Sequence, residues 1–279
     1  MRQDAWVFPN IDPVLLSLGQ YELFGISFEP AIRWYALMYL MGLGVAFYLA
    51  YNVADKANSG WTRTQVSDLL FNGFMGVILG GRIGYVLFYQ LDIFLQDPSY
   101  LFKMNQGGMS FHGGFLGVLV ATFYTAKIQK RSFWQVSDFI APLVPAGLGL
   151  GRIGNFINGE LVGRPVEMDV PWGMIFPHVD QLVRHPSQLY QFLAEGVLLL
   201  ALLLWYRAKM HGRMAERAMS GLFCIGYGVA RCVVEFFREP DAHIGLYLNW
   251  FSQGQLLSLP MIAFGIYLMN RHRFKEATV

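Results

Sequence analysis

The chain has 279 residues, of which 54% are hydrophobic, 16% aromatic and 14% charged, and its mean hydropathy is +0.37. An ordinary soluble domain carries about 25% charged residues, so this composition excludes one aqueous domain around one core and predicts a chain dissolved in lipid. The formal net charge of +2 gives no case for a nucleic-acid partner.

The first 30 residues hold Asp4, Asp12, Glu22, Glu29 and three prolines. That pattern does not read as a cleavable signal peptide, which has a basic start followed by an apolar run. Seven apolar segments follow, at about 32–51, 66–89, 109–126, 136–157, 188–206, 221–237 and 255–270. Each approaches the roughly 20 residues needed to cross a bilayer. Lipid cannot satisfy open backbone, so each is expected to be helical, and the runs are continuous rather than alternating, which disfavours a barrel. The segment 136–157 contains two prolines, and 221–237 contains Arg231 and Glu235. The expected fold is all-α: a polytopic membrane protein of about seven transmembrane helices, forming one domain over residues 1–279. Cys224 and Cys232 share one apolar segment without a CxxC spacing and read as inert packing.

Loop charge orients the chain. The stretches 52–65, 127–135, 207–220 and 271–279 hold twelve Lys and Arg. The N-terminus, 90–108, 158–187 and 238–254 hold five. The N-terminus is therefore expected outside and the C-terminus in the cytoplasm. Trp34, Trp61, Trp134 and Trp205 fall near span ends, as interfacial tryptophans do.

Two short strings recur at an offset of 70 residues: QVSD at 65–68 and 135–138, and GRIG at 81–84 and 151–154. Coincidence of small-residue packing motifs is one reading. A duplicated helical unit, with one copy kept as scaffold and the other made into a site, is the other. Gly76, Gly80 and Gly84 are four apart, as are Gly113 and Gly117, and Gly147 and Gly151. That spacing lets helix backbones approach closely in lipid.

Ionisable groups inside spans are costly and mark function or pairing. Here they are Arg82, Arg152, Glu195, Arg231 and Glu235, with His112 at the outer end of the third span. Arg231 lies about 15 Å above the inner end of its helix at 1.5 Å per residue. Glu235 and Arg238 follow on the same face, and Gln188, Gln191 and Glu195 form a stripe on the fifth span. Buried ion pairs tying helices together explain one such pair. A convergence of arginines with His112, Asn155 and Asn158 fits a phosphate better, because guanidinium offers a fixed fork of donors and keeps its charge. In a bilayer the abundant phosphates are lipid headgroups. The residues alone lead to a polytopic protein holding an anionic lipid at the outer leaflet, with an anionic-lipid or anion transporter as the alternative.

The strings WYALMY (34–39), GGRIGYVLFY (80–89), GGMSFHGG (107–114), GRIGNFINGELVGR (151–164), RHPSQLYQ (184–191) and GYGVARCVVEFFREPD (226–241) closely resemble the prolipoprotein diacylglyceryl transferases of bacterial inner membranes. The likeness runs in order over about residues 9–270. It implies a seven-helix enzyme, active toward the periplasmic side, that moves the diacylglyceryl group of phosphatidylglycerol onto the lipobox cysteine of lipoprotein precursors and releases glycerol 1-phosphate. Phosphatidylglycerol, those precursors and membrane lipids are the implied partners, and no cofactor is needed. Carried over by position, the essential arginines fall on Arg152 and Arg231 and the important histidine on His112. The remaining motif residues fall on Tyr35, Asn155, Glu160, Gly163, Glu235 and Arg238. One departure is Gln191, where members of the family can carry Glu. The stretch 165–184 is short beside some relatives, so gating elements there do not carry over.

The chemistry is alkylation of sulfur. A free cysteine has a pKa near 8.5, so a nearby base helps, and His112 is assigned that role. Arg152 and Arg231 are expected to hold the phosphate and the charge on the leaving group. Glu235 is expected to orient Arg231, Asn155 and Asn158 to meet headgroup hydroxyls, and Arg238 and Glu160 to shape the entrance. The six histidines show no HExxH or other paired spacing, so no metal is expected.

Overall fold

The computed structural model describes residues 5–23, 26–57, 59–104, 107–166, 170–210, 214–240, 247 and 250–276. The chain is mostly helical: α1 (Trp34–Ala54), α2 (Arg63–Tyr89), α3 (Leu91–Gln96), α4 (Phe111–Ile128), α5 (Phe133–Ile140), α6 (Val144–Ile157), α7 (Ser187–Gln191), α8 (Leu199–Lys209), α9 (Ala218–Val234) and α10 (Gln253–Glu276). A π-helical turn, Phe192–Leu198, joins α7 to α8 without a break. Every one of the seven apolar segments thus contains helix. Among the described residues, α1, α2 and the continuous run Ser187–Lys209 are long and apolar enough to cross a membrane alone, and α5 with α6 qualify as a pair. The composition and these helices make the chain a helical membrane protein.

Two expectations need correction. The fold is not purely α. Seven short strands stand among the described residues: β1 (Trp6–Val7), β2 (Val14–Ser17), β3 (Tyr21–Leu23), β4 (Ile26–Phe28), β5 (Ala31–Arg33), β6 (Met174–Ile175) and β7 (Val183–Arg184). They lie in the stretches 5–23, 26–33 and 170–186, where prolines disfavour helix and backbone N–H groups need another partner. β2 pairs with β5 and β3 with β4, both antiparallel, while β6 joins β1 in parallel and β7 antiparallel. The second correction concerns 136–157, which is two helices rather than one. Pro142 lies in the break, and Pro145 sits in the first turn of α6, where its missing N–H costs nothing.

The chain divides into two compact units, residues 47–140 and residues 1–46 with 141–279. In the first, α2 and α4 meet along the predicted glycines. A Cβ on Gly84 would stand 2.7 Å from the Gly113 Cα, and one on Gly80 2.8 Å from the Gly117 Cα. No larger residue fits at that backbone distance. Asn72 donates to the Thr125 hydroxyl across the same pair at 3.0 Å. The QVSD repeat also acquires a local meaning. Gln65 closes a capping box with Thr62 at the start of α2. Gln135 does the same with Ser132 before α5, exchanging bonds of 3.0 and 3.1 Å. Each satisfies two orphan donors of a helix start.

In the second unit, Ala141, Leu199, Leu203 and Met219 form a buried apolar cluster. Phe8, Met174 and Phe176 form another, against which Phe156 and Val162 pack. A hydrogen-bonded seam ties the chain after α6 to the end of α9: Gly163 bridges Arg238, the Arg164 N–H donates to the Phe237 carbonyl at 2.9 Å, and the Arg164 Nε donates to the Arg238 carbonyl at 2.9 Å. That seam delivers the ends of α6 and α9 to the same place.

Candidate active site

Arg152 sits in the last two turns of α6, and Arg231 in the last turn of α9. Glu195, from the π-helical turn, stands between them with 0% of its surface exposed. Its Oε2 accepts from Arg152 Nη2 at 3.3 Å and Nε at 3.4 Å, and its Oε1 lies 3.7 Å from Arg231 Nη1. Arg231 Nη2 also meets Glu235 Oε1, the i,i+4 pair expected from the sequence. Glu235, at 1% exposure, takes Arg238 Nη1 at 3.3 Å on the same oxygen. The result is a continuous chain, Arg152–Glu195–Arg231–Glu235–Arg238, of three guanidiniums against two carboxylates. A group of this kind keeps one positive charge more than its carboxylates neutralise, and it is poised for an anion.

The polar residues after Arg152 form a second group. Glu160 Oε1 accepts from Asn155 Nδ2 at 3.3 Å and from Asn158 Nδ2 at 3.0 Å. Tyr35 packs against Gly154, where a Cβ would come within 2.7 Å of its ring. The Tyr35 hydroxyl lies 3.2 Å from that of Tyr39. Gly154 therefore makes room for Tyr35, while a Cβ on Gly151 would meet nothing closer than the Tyr39 hydroxyl at 4.0 Å. Gly163 is enclosed by the His185 backbone and by Phe237, and its carbonyl accepts from Arg184 Nη1 at 2.9 Å. Arg184 in turn reaches Asp180 at 2.5 Å and Glu239 at 3.0 Å. The Arg184 guanidinium holds the Asp180 carboxyl below the usual carboxylate range, and burial pushes the His185 imidazole down.

The second unit thus brings together Tyr35, Arg152, Asn155, Asn158, Glu160, Gly163, Arg231, Glu235 and Arg238. His112 belongs to the other unit. It is exposed on the first turn of α4, after the Ser110 cap, with its ring edge-on to Phe111 at 5.6 Å between centroids.

Arg82, the counterpart of Arg152 in the GRIG repeat, is employed differently. Its guanidinium donates to the carbonyls of Tyr100 at 2.6 Å, Leu101 at 3.0 Å, Lys103 at 3.0 Å and Gly107 at 2.5 Å. It lies close to the Tyr100 ring. All of its fork is spent on holding one loop.

Two neighbours of the arginine chain, Tyr227 and Gly254, escape a reading of the sequence. Tyr227 lies within electrostatic reach of Arg152, Arg231 and Glu195, and its spacing of four from Arg231 on α9 was the available signal. A Cβ on Gly254 would stand 2.8 Å from the Glu235 carboxyl carbon and 3.1 Å from Arg231 Nη2. Gln191, the departure from the family pattern noted in the sequence, is 0% exposed, and neither of its amide atoms has a hydrogen-bond partner among the described residues. Residues of α6 and of the run 192–200, among them Pro145, Gly149, Leu150, Phe192, Gly196 and Leu200, line an apolar groove. A half-buried chain of three arginines against two buried carboxylates, in a chain with helices long and apolar enough to cross a bilayer, defines a helical membrane protein with a cationic cluster inside it.

Residues 22–271 match the family described as Prolipoprotein diacylglyceryl transferase. The chain is 56% identical over 271 residues to the phosphatidylglycerol–prolipoprotein diacylglyceryl transferase of Shewanella sp. (strain ANA-3), covering 96% of this chain and 98% of that one. It is 55% identical to the protein of the same name from Pasteurella multocida (strain Pm70), covering 96% and 95%. The Vibrio cholerae protein of that name (strain ATCC 39541) is also 55% identical, covering 96% and 94%. This chain belongs to the prolipoprotein diacylglyceryl transferase family, a family of membrane transferases.

Proposed function

We infer that this chain transfers the diacylglyceryl group of phosphatidylglycerol to the cysteine thiol of prolipoproteins, the first step of lipoprotein maturation. The observation that carries this reading, beside the family, is the chain of three largely enclosed arginines against two buried carboxylates. The thiol loses its proton, and the sulfur attacks the glyceryl carbon that bears the phosphate ester. A carbon–sulfur bond forms as the carbon–oxygen bond breaks, and glycerol 1-phosphate leaves with the electron pair. Its phosphate passes from one negative charge toward two, so donors that tighten on growing charge accelerate the step. In this reading Arg152 and Arg231 are those donors, and Glu235 and Arg238 support them. Asn155 and Asn158 meet headgroup hydroxyls, Glu160 and Arg238 shape the entrance, and Tyr35 and Gly163 belong to the same binding wall. His112 takes the thiol proton.

The wider frame is part of the same proposal. Residues 1–279 act as one membrane-embedded transferase domain of about seven crossings. The N-terminus is outside and the C-terminus in the cytoplasm, and the domain resides in a bacterial inner membrane with its site toward the periplasm. The loop charges support that orientation. The partners are phosphatidylglycerol, lipobox-bearing precursors and surrounding lipid.

Release of glycerol 1-phosphate from purified enzyme and a lipobox peptide tests the reaction. Release should require both phosphatidylglycerol and the peptide cysteine. His112→Asn should still bind lipid but transfer about 10²–10⁴-fold more slowly, the usual worth of a general base. Release without a peptide cysteine would make the protein a phospholipase. A His112→Asn enzyme of normal rate would remove the histidine from the chemistry.

A further inference from the structure

The run Ser187–Lys209 is helical throughout, yet Phe192–Leu198 leaves the α pattern for a π turn. A π turn admits an extra residue, so side chains beyond it are rotated relative to those before it. The widened turn has two consequences at neighbouring residues. Gly196 faces α6, where a Cβ would lie 2.7 Å from the Gly149 Cα, and the reverse distance from Gly149 is 2.9 Å. Glu195, one residue earlier, points between Arg152 and Arg231. Gly149 is one turn before Arg152, so the backbone contact fixes how far the Glu195 carboxylate stands from the Arg152 helix.

The two guanidiniums carry like charges in a poorly solvated place, where repulsion is strong. Glu195 gives one oxygen to each. Its contacts of 3.3 to 3.7 Å are long for charge-assisted bonds, and the buried Arg231 Nη1 has no hydrogen-bond partner among the described residues. The carboxylate therefore restrains both arginines and leaves N–H donors for a ligand.

We propose that Glu195 is a positioning residue, held by the π turn and the Gly149–Gly196 contact, that keeps Arg152 and Arg231 at a spacing one phosphodiester can bridge. This rests on the phosphate role given above to the two arginines. Preorganised donors gain more from the doubly charged leaving phosphate than from the singly charged diester, so the loss on removing Glu195 falls on kcat. Removing a carboxylate also makes the cluster more cationic, so a free anionic product, which needs no in-line reacting geometry and can settle between displaced arginines, should bind more tightly.

Steady-state kinetics of Glu195→Gln, in purified enzyme with phosphatidylglycerol vesicles and a lipobox peptide, reads both effects. The expected kcat is about 100-fold lower, as for a catalytic group misplaced by an ångström, with KM for the lipid not raised. Inhibition by glycerol 1-phosphate should tighten about tenfold, a change of ~1.4 kcal/mol, which a merely misfolded variant would not show. Glu195→Asp keeps the charge, so its product inhibition should match the parent while kcat recovers only in part. Arg152→Lys and Arg231→Lys run in parallel. If they keep turnover, the phosphate reading falls and the positioning role with it. If they lose turnover while Glu195→Gln keeps parental kcat or binds product more weakly, the positioning role alone is overturned.

Discussion

Arg82 and Arg152 show how one side chain serves two ends. Both stand in a GRIG string with the same capping sequence seventeen to twenty residues upstream. Arg82 gives its fork to backbone carbonyls at 100–107, whereas Arg152 faces a carboxylate and a tyrosine. Lysine has no fork, so Arg82→Lys leaves carbonyls of that loop unpaired, at about 1–3 kcal/mol for each buried one. The expected outcome is a clear fall in the thermal unfolding midpoint in detergent, with turnover per folded molecule largely kept. A variant of normal stability that has lost turnover would place Arg82 with the chemistry instead. The repeated string was legible in the sequence, but the division of labour was not. It depends on whether the facing element offers carbonyls or a carboxylate, and that element is remote in the chain.

At the scale of elements, the strongly apolar helices were readable, because an uninterrupted apolar run in lipid has one backbone solution. The prolines at 142 and 145 carried the signal for the break between α5 and α6. The short strands of 5–33 and 170–186 carried none, since two-residue and three-residue pairings depend on tertiary partners. The π turn was equally hidden: FLAEGVL has ordinary helical composition, and the Gly196–Gly149 contact that accompanies the turn joins residues 47 apart in the chain. The element from 176 to 187 permits a pH prediction. The Asp180 carboxyl is held below its ordinary range by Arg184, chiefly through their hydrogen bond. A depressed folded value means the pair stabilises the loop above the unfolded carboxylate pKa, about 4, and fades as pH falls through the lower folded value. Amide exchange or proteolysis across 176–187 should therefore show protection at neutral pH that is lost on acidification. Asp180→Asn should be less protected at neutral pH and show no such acid step. An acid step that survives in Asp180→Asn would assign the titration to another group.

For the whole molecule, charge asymmetry makes a single testable statement. The stretches 127–135 and 207–220 should be cytoplasmic and 158–187 outside. Single cysteines placed there, in a background lacking Cys224 and Cys232, should divide accordingly when intact spheroplasts meet an impermeant thiol reagent. Labelling at 127–135 without permeabilisation would invert the orientation and put the arginine chain toward the wrong leaflet. The charged cluster was largely legible, since a charged residue in an apolar run must have a partner or a ligand, and Arg152, Arg231 and Glu235 stood out for that reason. What could not be read was the order of the chain. Glu195 links the two arginines across 43 residues from Arg152, a distance no local pattern encodes.

The central claim is that Arg152 and Arg231 grip one lipid phosphate, and groups sharing one ligand are strongly non-additive. The direct measurement is glycerol 1-phosphate release, with phosphatidylglycerol and a lipobox peptide, by Arg152→Ala, Arg231→Ala and the double variant at matched folded protein. The account predicts that each single change removes nearly all release, that the double is little worse than either, and that phosphatidylethanolamine fails as donor because its ammonium would sit beside the arginines. Losses that simply multiply in the double variant, or equal use of the two lipids, would contradict it.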